Sequence, residues 1–100
     1  PPDKEAAKPR VRAAEESDSA FYLKLRLKDK PGALSAVTGA LGREGISISQ
    51  IHQDKPSASA VPVMIATHAT SRRALDSALA AVLRQSAVSG RPTVLRLLPE

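Results

Sequence analysis

The sequence predicts an α+β fold of the split βαβ kind: strand, helix, strand, strand, helix, strand, with four antiparallel strands carrying two helices on one face. Three observations carry this. Phe21, Leu23, Leu25 and Leu27 alternate with Tyr22, Lys24, Arg26 and Lys28, the period of two that marks a strand with one buried and one wet face. Apolar residues switch to helical spacing near residues 34–41 and 75–83. Each helical stretch follows a strand pattern, and breaks rich in Gly, Pro, Ser and Asp separate the segments.

Taken in order, residues 1–19 hold three prolines, nine charges and one isolated aliphatic, Val11, and read as a disordered linker ahead of a domain over 20–100. The first strand opens at Phe21 and breaks at Asp29-Lys30-Pro31-Gly32. Pro31 suits the first turn of a helix, and Asp29 can cap it or complement the positive end of its dipole. That helix is expected over about 32–43, with Leu34, Val37 and Leu41 inward and Gly45 the stop. A second strand is expected from Ile46 and Ile48, with Ile51 out of phase, which suggests a bulge or a strand buried on both sides. After a polar loop over 54–60, a third strand places Val61, Val63, Ile65 and Thr67 on one face and Met64, Ala66 and His68 on the other. Thr70 and Ser71 are candidate N-caps for a helix with the stripe Leu75, Leu79, Val82 and Leu83, closed by Gly90 and Pro92, and Val94 to Leu98 forms the last strand.

Composition narrows the chemistry. One hundred residues, 42% hydrophobic and 25% charged, make one small globular domain with an aliphatic core, because Phe21 and Tyr22 are the only aromatics. The absence of cysteine excludes disulfides, thiolate nucleophiles and Cys-ligated metals. No apolar run is long enough to span a bilayer, and the expected location is the cytoplasm. A start at Pro1 rather than Met points to a segment of a longer polypeptide. Of the net charge of +5, residues 1–19 contribute −1, leaving +6 on the folded part, a balance that aids solubility and can attract an anionic partner.

Catalysis needs convergent groups, and the acids Asp29, Glu44, Asp54, Asp76 and Glu100 form no evident pair. His52 and His68 fall on separate expected strands without the acidic neighbours of a zinc site, so no metal is assigned. Gly39, Gly42 and Gly45 do not have the spacing of a dinucleotide or phosphate loop, and no cofactor is assigned to this segment. The basic row Lys24, Arg26 and Lys28 admits an RNA-binding reading, which the lack of stacking aromatics on the third strand argues against. The turn at 29–34 is more informative. The N–H groups of Gly32, Ala33 and Leu34 at a helix start could hold a carboxylate, with Asp29 beside them for an ammonium. The plainer reading is a capped helix start.

The run Phe21 to Leu34, followed by Gly45-Ile46-Ser47-Ile48, resembles the first half of an ACT domain, the ferredoxin-like regulatory module of amino-acid metabolism. With Gln50-Ile51-His52-Gln53, Val61 to His68 and Pro92-Thr93-Val94-Leu95-Arg96, it is most similar to the C-terminal ACT domain of the homoserine dehydrogenase family. The resemblance implies a parent that interconverts L-homoserine and L-aspartate 4-semialdehyde with NAD(P)H, and a noncatalytic tail that tunes it. Its partners would be an amino-acid effector, threonine first, a second copy in an eight-stranded sheet, and the catalytic domain of the same chain, with neither nucleic acid nor membrane. The matching effector positions are Asp29, Gly32, Ala33 and Leu34 in the turn, Ser47 and Ile48 at the second strand, and Gln53 beyond it. Ser47 stands where an Asn is frequent, so it offers one hydroxyl instead of an amide. Some ACT domains serve assembly alone, and an ACT module of another metabolic enzyme is the further alternative.

Overall fold

A computed structural model describes residues 18–98. The elements are β1 (Ala20–Lys28), α1 (Ala33–Arg43), β2 (Ile48–Gln53), β3 (Ala60–Thr67), α2 (Arg72–Leu83) and β4 (Thr93–Leu97). One antiparallel sheet has the order β2-β3-β1-β4, which makes β1 and β3 central. β1 pairs with β3 through Leu23↔Ile65 and Leu25↔Val63, so the buried residues of both strands share one face. Against it pack Val37, Ala40 and Leu41 of α1 and Leu75, Ala78 and Val82 of α2. The split βαβ architecture read from the pattern is the one observed.

Local chemistry explains most boundaries. α1 ends in a Schellman motif: the Ile46 N–H donates to Leu41 O at 3.1 Å and the Gly45 N–H to Gly42 O at 2.9 Å, with Gly45 at φ 74°. This seats Ile46 in the core at 4% exposure, in the connection rather than in β2, which starts two residues later. The out-of-phase Ile51 has its cause in a register shift between Ile48 and Gln50. The extra residue, Ser49, returns both isoleucines to the helix-bearing face. Pro62 is tolerated in a central strand because its missing N–H falls on the β2 side at the ladder's end, where its carbonyl accepts from the Asp54 N–H at 3.0 Å.

α2 departs further from expectation. Ser71 caps it, its Oγ accepting from the Ala74 N–H at 3.0 Å, whereas Thr70 pairs its backbone with Ser19. The buried stripe is Leu75, Ala78 and Val82, and Leu83 is 52% exposed, because each helical residue turns by about 100° and carries Leu83 past the core-facing side. The helix stops at Leu83, seven residues before Gly90. Between them the chain returns to the sheet, where Ala87 O accepts from the Lys28 N–H and the Ser89 N–H donates to Arg26 O, both at 2.8 Å. Ser19, read as linker, is buried and its backbone pairs with Thr70, Asp18 is exposed, and residues 1–17 of the proposed linker lie outside the described residues.

Candidate functional site

β1 delivers the chain to the turn 29–32 at one end of the sheet. There Gly32 takes φ 84°, and serves as N-cap of α1 with no side chain bonded to the helix start. Asp29 is therefore not a capping residue, because the left-handed backbone of Gly32 turns the chain into the helix by itself. The Asp29 N–H donates to Ser59 O at 3.3 Å, and its residue is exposed. The Ala33 N–H is occupied by Lys30 O at 3.3 Å, and among the described residues Gly32, Leu34 and Ser35 have no backbone acceptor. The donor set thus differs by one position from that expected. Ser35 takes the place of Ala33, since the turn consumes the first helical amide.

Asp29, Gly32, Ala33, Leu34 and Gln53 line one pocket of about 290 Å³, together with Lys28, Lys30, Ser35 and Val61. Gln53 reaches it because its register partner is Val63 on the helix-bearing face. Ser47 and Ile48 do not line it. β2 runs parallel to β1, so its start lies at the far end of the sheet, roughly 20 Å from Gln53 at about 3.3 Å per residue. The crossover through α1 is what separates them: α1 returns along the sheet before β2 begins. Leu27, Lys28, Lys30, Ser35 and Val61 also line it without being among the expected effector positions, and only the third-position amide of a helix start could have signalled Ser35.

No group of three His, Cys, Asp or Glu that could hold a metal is found among the described residues. Asp54 Oδ1 accepts from His52 Nε2 at 3.1 Å on the open side of the sheet, and His68 is exposed at the other end of β3. The described residues do not fit a dinucleotide either: Gly39 and Gly42 lie within α1, and the β1–α1 turn holds one glycine where a pyrophosphate loop needs several. Lys24, Arg26 and Lys28 stand on the sheet face opposite the helices, with Pro62 and Met64 as register partners of Arg26 and Lys24 on β3, and the one aromatic of that row, Tyr22, lies beyond them opposite Ala66, with no aromatic on β3 to share a base stack.

The ACT domain family model matches residues 21–85. The chain belongs to the ACT domain family. This ACT domain is 42% identical over 84 residues to a homoserine dehydrogenase from Methylobacillus glycogenes, a match covering 82% of the chain and 20% of that protein. The chain therefore spans about a fifth of the curated relative's length. Among solved structures, a homoserine dehydrogenase from Thiobacillus denitrificans superposes with TM-score 0.79 at 29% identity, over 92% of this chain and 20% of that one. The ligand-free regulatory subunit of aspartate kinase from Thermus thermophilus shares the fold, at TM-score 0.60 and 22% identity over 81% and 56% of the two chains. Among the described residues, no helix is long and apolar enough to cross a membrane.

Proposed function

We propose that this ACT domain is the noncatalytic regulatory tail of a cytoplasmic homoserine dehydrogenase, an NAD(P)-dependent oxidoreductase, and that it binds an amino-acid effector, threonine first, at the β1–α1 turn. One observation carries the reading: unclaimed amides at the start of α1 share a pocket with Asp29 and Gln53. A free amino acid needs donors for its carboxylate and an acid for its ammonium, within a few ångströms of each other. Gly32, Leu34 and Ser35 supply the donors, Asp29 takes the ammonium, and Gln53 meets a side-chain hydroxyl. The positive end of the α1 dipole favours the carboxylate.

Ser47 and Ile48 enter through a second copy. The Asp54 N–H bonds back to β3, and the alternation of an antiparallel ladder then turns the backbones of Gln53 and Ile51 to the open edge. That edge, Ile48–Gln53, has no lysine or proline to block pairing. Joining two β2 strands about a twofold axis near Gln50 and Ile51 builds an eight-stranded sheet. It also sets the start of one β2 beside the end of the other, so that Ser47 and Ile48 of the partner subunit approach the pocket. Regulation follows only if the effector binds two dimer arrangements with different affinity.

The same edge favours a second reading, an assembly module that senses nothing. Titration calorimetry of the chain with threonine, methionine, isoleucine and lysine, repeated for Asp29→Asn with sedimentation in parallel, separates the two. A sensor releases saturable heat with one amino acid and loses it in the variant while staying dimeric. A dimer giving no heat with any of the four at millimolar concentration is the assembly module, and the sensing claim is then wrong.

A further inference from the structure

We propose that the open face of the sheet carries a second site, independent of the effector pocket, for a small phosphate-bearing molecule held by Lys24, Arg26 and Arg91. A groove of about 380 Å³ crosses this face, within the range of small-molecule pockets, roughly 300–1,000 Å³. Two register rows build it. His52 pairs with Met64, Met64 with Lys24, and Lys24 with Thr93. In the next row Pro62 lies between Arg26, its register partner, and Asp54, which bonds to its carbonyl.

Arg91 reaches the groove through an irregularity. Thr93 is opposite Lys24 and Ser89 is bonded to Arg26 at 2.8 Å, so Gly90, Arg91 and Pro92 occupy a stretch where a regular ladder needs one residue. Gly90 makes the detour at φ 78°, and Arg91 lines the groove beside Lys24 and Arg26. Insertions of this kind re-aim a side chain. Like charges set side by side on a sheet are destabilising, and the one acid lining the groove, Asp54, is engaged by His52 at 3.1 Å. A ligand with two negative charges on one centre answers this arrangement better than a single carboxylate, because two guanidinium forks and an ammonium can share its oxygens. Pro62 and Met64 form an apolar floor for the body of the molecule, and His52 and Thr93 can hydrogen-bond at the rim. The shared positive charge argues against a second copy of this face as the occupant, and the absence of Phe, Tyr and Trp from the lining, whose one ring, His52, is held by Asp54, argues against stacked RNA.

The test is a ¹H–¹⁵N titration of the 100-residue chain with phenyl phosphate at fixed ionic strength, with benzoate, sodium chloride, a uridine hexanucleotide and a hexaglutamate peptide as separate arms. Phenyl phosphate is expected to bind with submillimolar, saturable shifts centred on Lys24, Arg26, Met64 and Arg91, and benzoate at least about tenfold more weakly. Arg26→Gln and Arg91→Gln should each weaken phenyl phosphate about tenfold, with Arg43→Gln, on α1, leaving it unchanged. Shifts that do not saturate and match those of sodium chloride would overturn the proposal. So would benzoate binding as tightly, or the oligonucleotide or peptide binding more tightly than phenyl phosphate at this face.

Discussion

Two glycines of the β1–α1 unit should respond to alanine with opposite signs, and the structure sets both magnitudes. Gly32, the N-cap of α1, sits at φ 84° and ψ −7°, and a Cβ built there meets nothing within 4 Å. Gly32→Ala therefore introduces backbone strain without a clash, roughly 1–2 kcal/mol for a left-handed L-residue. The stiffer unfolded chain offsets about 0.4–1 kcal/mol of this. The net loss is about 1 kcal/mol, or a fall in Tm of roughly 4–8 °C for a domain of this size. Gly39 lies inside α1, and its added Cβ would contact Arg43 Nη1 at 3.6 Å, an ordinary van der Waals distance. Gly39→Ala should gain about 0.5–1 kcal/mol by removing glycine's backbone freedom from a helix interior. Thermal melts and urea titrations read both, with an unchanged urea slope showing that the folded state is the same. Two variants shifting in the same direction would refute the conformational assignment of the turn on which the proposed effector pocket rests.

Thr67→Val should destabilise by about 1–3 kcal/mol in urea unfolding, because Thr67 Oγ1 accepts from the Phe21 N–H at 3.1 Å and the variant leaves that buried amide unpaired. The β2–β3 turn places Ala58 at φ 51° and Ser59 at φ 66°, a two-residue reversal suited to Asn-Gly. Ala58→Asn with Ser59→Gly should thus raise the melting temperature. Gln53→Ala should weaken threonine roughly 3- to 10-fold in calorimetry, the loss of one neutral hydrogen bond, while its melting curve stays unchanged because the residue is exposed.

The sheet was legible because its signals are local. Alternation over Phe21–Lys28 orients β1, and Gly45 marks the end of α1 through the positive φ that a Schellman motif demands. Where the sequence misled, a tertiary partner decided. Leu83 looks like part of the α2 stripe until Ala78, small enough to seat the helix closely, takes the inward position. The segment Ala87–Ser89 carries no strand pattern, yet it pairs with the end of β1 through backbone groups whose side chains leave no periodicity to read. The site was half visible. The turn places Asp29, Gly32 and Leu34 together by chain continuity, and the register of β2 brings Gln53 to them. Ser47 and Ile48 could not be located from spacing, since their relation to the turn depends on which edge a second copy uses. Arg91 escaped notice for a related reason: its position follows from a register offset between β1 and the approach to β4.

The most direct test of the composite effector site is a ¹H–¹⁵N titration of the chain with L-threonine. Within one subunit Ser47 lies at the far end of β2 from the pocket, so only pairing through β2 puts both in reach of one bound molecule. The amides of Gly32, Leu34 and Ser35 and those of Ser47 and Ile48 should shift together on a single saturation curve. Shifts confined to the turn, or absent from both groups at millimolar threonine, would contradict it.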